Sequence, residues 1–171
     1  HPADEDIAAD MFEITQTEMT AKGLQAYEIS NHARPGHESR HNLTCWRGGD
    51  YVGIGPGAHG RLTLDGQTFG THQIHNPARW LQKVSDGGHG TAKRRALSTQ
   101  DRTRELLMMG LRLSEGIDKR RANLHQLDDV INTEALQMLI DGGLMVDSET
   151  QLRATADGRQ RLNAVLAKLL T

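Results

Sequence analysis

One cysteine, Cys45, is all that 171 residues provide. A single thiol excludes an intrachain disulfide framework and any zinc or iron–sulfur site built from cysteines alone, and it suits a reducing compartment, so a cytoplasmic location is expected. A surplus of either charge is missing too, with 20 Lys and Arg against 22 Asp and Glu. That balance gives no broad attraction to nucleic acid or to an anionic membrane; a polyanion would need a local patch. Long apolar runs are also absent. Nothing approaches the roughly 18 residues of a membrane-spanning helix, so the expectation is a soluble chain with no integral membrane segment. The opening HPADEDIAAD is acidic where a signal peptide is basic and then apolar. It starts without methionine, in a helix-like stretch, which predicts a piece of something longer.

The length allows one ordinary domain or two small ones. Residues 4–22 predict a helix, because Ile7, Met11, Ile14 and Thr15 recur at spacings of three and four and Asp4, Glu5 and Asp6 sit at its positive end. Gly23 stops it. LQAYEIS predicts a short strand, ARPGHES a turn at Pro35 and Gly36, and DYVGIGPGAHG a second strand on Val52 and Ile54 with glycines at its exit. NPARWLQKVSDG predicts a helix with Asn76 as cap and Pro77 in the first turn. The polar, glycine-containing SDGGHGTAKRRAL separates a first part, residues 1–97, from a second, residues 98–171.

The second part is better patterned. Ser98 opens a capping-box-like STQD, and a helix is expected through Leu106, Leu107, Leu111 and Leu113 to Gly116. A short helix or turn over 123–130, a capped helix over NTEALQMLIDGG, two short strands in LMVDSETQLRAT and a closing helix with Leu162, Val165, Leu166 and Leu169 on one face complete it. Helix, helix, helix, hairpin, helix is a winged-helix arrangement, and the fold class is α+β. A winged helix invites a nucleic-acid reading, yet residues 98–171 hold ten Lys and Arg against eleven Asp and Glu. Lys119, Arg120 and Arg121 form one cluster, while the capped helix carries Glu134 and Asp141 and no basic residue. With no phosphate-neutralising patch, nucleic acid is not an expected partner.

The chemistry-bearing residues gather in YEISNHARPGHESRHNLTCW, residues 27–46. His37, His41 and Cys45 follow one another at intervals of four, and on a continuous helix they would share a face that can hold zinc. Pro35 and Gly36 before, and Gly48 and Gly49 after, shorten that helix, and no fourth ligand is fixed. The alternatives are axial ligation of heme by one His or Cys, with Trp46 and Tyr51 available to stack, or ordinary loop histidines. GIGPGAHG has glycines but neither the phosphate-loop lysine nor dinucleotide-binding spacing. It lets a flat ligand approach the backbone, or merely permits a sharp exit from a strand.

The whole stretch from Tyr27 to Gly60, with DEDIAADMFEITQTEMTAKGL before it and RTRELLMMGLRLSEGID through LRATADGRQRLNAVLAKLL after it, resembles the oxygen-independent coproporphyrinogen III oxidase-like radical S-adenosylmethionine proteins, most closely their heme-chaperone branch. The resemblance implies an incomplete parallel βα barrel around S-adenosylmethionine and a [4Fe–4S] cluster held by a CxxxCxxC motif. That motif is absent, and one cysteine cannot supply three ligands, so the expected architecture is the last barrel strands and helices followed by a small winged-helix-like domain. Radical chemistry is not expected of this chain alone.

In the heme-chaperone branch the signature is HNxxYW. Here HNLTCW matches at His41, Asn42 and Trp46 and departs at Cys45, where tyrosine is usual. By resemblance His41 is the leading axial-ligand candidate, with Asn42, Cys45 and Trp46 beside it. GIGPGAHG resembles the final barrel strand, which makes Gly53, Ile54, Gly55, Pro56, Gly57 and Ala58 candidates to line an S-adenosylmethionine site. The implied partners are heme or a porphyrin and heme-acceptor proteins. Two activities follow for a full-length parent: heme delivery, or oxidative decarboxylation of coproporphyrinogen III propionates in porphyrin biosynthesis. HNLTCW favours the first. Severed barrel strands should also leave apolar surface and an edge that invites self-association.

Overall fold

The computed structural model describes residues 4–120 and 127–170. Helix α1, Glu5–Ala21, starts where the Asp4 carboxylate accepts the Asp6 N–H at 3.0 Å and ends before Gly23, whose φ of 75° no β-carbon would favour. Gln16 on its inner side bonds to Ile29 O and His32. The periodic stripe Ile7, Met11, Ile14 lies outward, at 55%, 59% and 62% exposure. Strands β1, Gln25–Glu28, and β2, Asn31–Ala33, form an antiparallel hairpin against this helix. After the Pro35–Gly36 turn comes α2, Arg40–Trp46, two turns long and capped by the Ser39 hydroxyl.

Three further strands make a second antiparallel sheet, ordered β3-β4-β5: β3 is His59–Leu64, β4 Gln67–Gln73 and β5 Thr91–Ala96. Asp65 and Gly66, both at positive φ, give the two-residue turn whose twist suits β3 and β4. Helix α3, Pro77–Gly87, is inserted before β5 with Asn76 as its cap and left-handed Gly88 at its end. The strand expected around Val52 and Ile54 does not form: Tyr51 makes one bridge to Arg61, and pairing resumes only at His59. Gly55 at φ 104°, Gly57 at φ 72° and Pro56, which has no N–H, cannot sustain a ladder there. Within the supposed separator lies β5, whose TAKRRA is too polar and too exposed to show strand alternation.

From residue 98 the helix starts lie where the caps of the sequence place them. Helix α4, Thr99–Gly110, has a full capping box between Ser98 and Asp101. It ends at Gly110 rather than Gly116, because Gly110 packs so closely on Ile117 that a β-carbon would lie 2.4 Å from Cγ1, and the chain turns there toward β6, Ile117–Asp118. Of the short element expected over 123–130, residues 123–126 lie outside the described residues, as does Arg121 of the basic cluster; 127–130 end in a turn. Helix α5, Thr133–Asp141, carries the Asn132 cap; β7, Met145–Asp147, and β8, Gln151–Ala154, form the hairpin; and the sheet order is β6-β8-β7. The closing helix is two, α6 Ala156–Gln160 and α7 Leu162–Leu169, separated at Arg161 (φ −108°, ψ 25°). This break lets Leu162, Val165 and Leu169 all point inward, at 4%, 1% and 0% exposure.

The main hydrophobic core lies wholly in this second part, around Leu107, Leu111, Met145, Leu152, Val165 and Leu169, with Ile29 of the first part packed against it. Each such side chain contributes about 1.5–3 kcal/mol of transfer free energy. The first part leans on that core through α2 and α4 and through a bridge from Glu28 to Leu113. Every strand pair among the described residues is antiparallel and no barrel closes. Helices on open sheets, finishing in a winged-helix-like unit, are the α+β architecture.

Candidate functional site

Helix α2 sorts its signature residues onto two adjacent sides. At one hundred degrees per residue, positions 41 and 45 share one side and positions 42 and 46 the next. His41 is exposed and Cys45 half-buried, with Sγ 3.9 Å from Nε2. Asn42 and Trp46 face the protein. The Asn42 side-chain amide nitrogen lies 3.5 Å from the Tyr27 hydroxyl and 3.4 Å from Oδ1 of Asn31. Trp46 lies under the Arg112 guanidinium, whose central carbon is 4.7 Å from the ring centroid.

That guanidinium belongs to a buried charge network. Arg112 donates from Nε at 2.6 Å and Nη2 at 2.5 Å to Glu28, which is 0% exposed. Glu28 also accepts from the Ser30 N–H at 2.9 Å and the Asn31 amide at 2.7 Å, and Asn31 in turn meets Asn42. Burial alone would raise the Glu28 carboxyl. The Ser30, Asn31 and Arg112 donors outweigh it and hold the group below the ordinary carboxylate range. The helix bearing His41 is thus fastened from beneath by a hydrogen-bonded ion pair joining β1 to the end of α4. Among the described residues the Trp46 indole N–H is buried without a partner, so this ring serves packing and the cation stack.

Burial pushes the Cys45 thiol up from its usual value, which leaves it protonated at neutral pH. It can ligate a metal only by releasing its proton as the metal arrives. His37 stands in the turn before α2, so the three residues spaced by four do not share a helix. No three His, Cys, Asp or Glu side chains among the described residues converge in a way that could hold a metal ion.

Beside Trp46 opens a cleft of about 560 Å³ between α2 and the α4–β6 region, floored by Leu106, Leu113 and Ile117. Arg47 and Glu115 close one side with bonds of 2.8 and 3.1 Å, and Arg102 reaches the Gly48 carbonyl. The volume falls in the range of small-molecule sites. His41 does not line it; Cys45 lines a neighbouring hollow of about 20 Å³ with Tyr51, Arg61 and Met109.

Residues 53–58 form a separate loop. A β-carbon on Gly53 would lie 2.3 Å from the His59 carbonyl oxygen, so packing against β3 accounts for that glycine. Gly55 has open space, Ile54 is 82% exposed, and Gly57 and Ala58 bond to Ile74 and Gln73 through the backbone. Next to them His59 and His72 stack at 4.2 Å. No hydrogen bond, ion pair or ring contact among the described residues joins this loop to His41, Asn42, Cys45 or Trp46. Sequence reading passed over Glu28 and Arg112. Each is a lone charge in an apolar run, Tyr27-Glu28-Ile29 and Leu111-Arg112-Leu113, a pattern that marks a buried charge in need of a partner.

A family profile described as "HemN C-terminal domain" matches residues 97–161. The chain is 35% identical over 98% of its length to the mouse protein named "Radical S-adenosyl methionine domain-containing protein 1, mitochondrial", covering 40% of that protein. It is 34% identical to the Escherichia coli protein named "Heme chaperone HemW", over 98% of this chain and 43% of that one. Among solved structures it is similar to the Escherichia coli coproporphyrinogen III oxidase HemN, described as a radical SAM enzyme, with a TM-score of 0.64 and 20% identity over 92% of this chain and 39% of that one. This last likeness is one of fold. The chain spans about 40% of the length of the curated relatives it matches.

Proposed function

Because the chain belongs to the HemN/HemW family of radical S-adenosylmethionine proteins and corresponds to its C-terminal part, we propose that the full-length protein binds heme at α2 and passes it to acceptor proteins. The observation that supports this most is His41. Its imidazole is exposed on a helix whose neighbouring side is held by Asn42, Trp46, Arg112 and Glu28. A rigid mount with a solvent-exposed imidazole is what axial ligation followed by release requires, since a buried ligand would hold its cargo and a mobile one would not select it. The relatives named as heme chaperones point the same way.

In the full-length protein S-adenosylmethionine and a [4Fe–4S] cluster supply one-electron chemistry, with the cluster ligands outside this chain. Of the loop Ile54, Gly55, Pro56, Gly57 and Ala58, the exposed Ile54 and the unobstructed Gly55 would face the S-adenosylmethionine, while the backbone of Gly57 and Ala58 is bonded to Ile74 and Gln73 and Gly53 serves β3. For the chain itself no helix among the described residues is long and apolar enough to cross a membrane. A reducing compartment keeps the Cys45 thiol available; the relatives include proteins named as mitochondrial, so the cytoplasm is one such compartment and the organelle another. The second reading, a coproporphyrinogen III oxidase, has the fold likeness in its favour and no residue of this chain.

A hemin titration followed by absorbance tests the proposal. The wild-type chain should saturate near one equivalent, and His41→Ala should bind at least tenfold more weakly. If wild type and His41→Ala titrate alike and without saturation, heme binding at α2 is wrong.

A further inference from the structure

We propose that β5, Thr91–Ala96, is a docking edge that takes an extended acidic segment of a partner protein as an added antiparallel strand. This goes beyond the heme-binding reading and does not depend on it.

The backbone supplies the site. Strand β5 is the outer strand of the β3-β4-β5 sheet, and Ala92 through Ala96 are exposed. The Leu97 N–H donates to the Thr68 carbonyl at 2.9 Å, and the register continues with Arg95 opposite Gly70 and Lys93 opposite His72. The alternation of an antiparallel ladder therefore commits the N–H and C=O groups of Lys93 and Arg95 to β4 and turns those of Arg94 and Ala96 outward. Among the described residues no further strand pairs with that side. An outward row of donors and acceptors is what an added strand bonds to.

The side chains select the partner. From Pro77 to Ala96 the chain carries five Lys and Arg against one Asp, although its overall charge is −2. Lys93 and Arg95 stand on one face of the sheet and Arg94 on the other. The Arg94 central carbon lies 4.0 Å from the Phe69 ring centroid, Arg95 is bonded to Asp101 at 2.9 Å, and Lys93 has no acidic partner among the described residues. The Arg95 pair is exposed, so a second carboxylate can share that guanidinium.

Other occupants fit less well. A second copy of β5 would set these cations against one another, which disfavours self-pairing. Single-stranded nucleic acid would need open rings for base stacking, and the nearby Phe69 and His72 are already covered by Arg94 and His59. A strand with carboxylates at alternate positions meets both demands. Two of them oppose Lys93 and Arg95 at the closer, non-hydrogen-bonded positions, while the residues between turn their N–H groups to β5.

The test follows the fluorescence anisotropy of a labelled peptide of about eight residues, alternating glutamate and valine, as this chain is titrated in at low salt. Binding should saturate, weaken as salt is added, and weaken about tenfold in Lys93→Glu. Lys168→Glu, the same charge change on α7, should leave it unaltered. Methyl groups on the valine backbone nitrogens should abolish binding, whereas methyl groups on the glutamate nitrogens should not, because only the valine N–H groups point at β5. Absence of saturation, or equal binding of the two methylated peptides, overturns strand addition and leaves β5 an edge protected by its charges. Displacement of the peptide by oligothymidylate as readily as by unlabelled peptide overturns the protein partner in favour of nucleic acid. Saturation by the full-length protein supports the proposal; binding by this chain alone overturns it, since another segment of the same protein then covers the edge.

Discussion

Arg112→Ala removes the centre of the network beneath α2, and the consequences can be worked from its contacts. Two charge-assisted hydrogen bonds, at 2.5 and 2.6 Å, disappear together with the stack on Trp46. Glu28, at 0% exposure, keeps only the Ser30 and Asn31 donors. Stranding one member of a fully buried ion pair costs about 3–5 kcal/mol. Arg112 is 32% exposed, so water can partly replace it, which brings the expected loss to about 2–4 kcal/mol. Arg112→Lys keeps the charge but loses the two-pronged geometry and the planar stack, and should fall between wild type and alanine.

Urea unfolding followed by tryptophan fluorescence in a Trp80→Phe background makes Trp46 the reporter. The pH dependence has a definite sign. The Glu28 carboxyl is lowered in the folded protein, so its contribution is fully present above the ordinary carboxylate range and is lost as pH falls through its lowered value. Wild type should lose stability in acid with a steeper slope than Arg112→Ala. An Arg112→Ala cost below about 1 kcal/mol with an unchanged acid slope would refute the claim that this pair fastens the helix. Heme titration of the same variant connects packing to function: if α2 is the mount for His41, affinity should fall with the loss of the Arg112 stack on Trp46.

The apolar stripe of α1, with Val52 and Ile54 at 66% and 82% exposure, should drive concentration-dependent self-association. Light scattering coupled to size exclusion should show this for wild type and less of it for Met11→Lys; a monomer at every concentration would count against it. Ser98→Ala removes one half of the α4 capping box and should destabilise the second part by about 1 kcal/mol in the same urea assay.

Local chemistry was legible wherever one segment settles its own structure. Asn76 with Pro77, Ser98 with Asp101, and Asn132 before an apolar stripe announce helix starts because a cap and its unsatisfied N–H groups lie within three residues of each other. The apolar spacing of residues 98–170 likewise conveys a winged-helix-like unit, since its core is built from contacts that each element advertises. The β3-β4-β5 sheet was not legible. Its strands are short, polar and half-exposed, and TAKRRA becomes a strand only because β4 lies beside it. The stretch around Val52 and Ile54 misled in the opposite direction: its β-branched residues suggest a strand, but its positive-φ glycines decide the backbone.

The same division holds for the site. Sequence by itself determined that His41 pairs with Cys45, and Asn42 with Trp46, because a spacing of four on any helix brings side chains to one side. Only the tertiary structure decided which side is open. Asn42 and Trp46 face inward because Glu28 and Arg112, 84 positions apart, meet beneath them, and no local pattern specifies a partner at that separation. His41 and Cys45 are left outward as a consequence of that pairing. The physical reason is that a buried charge must be matched in space, wherever along the chain its partner happens to lie.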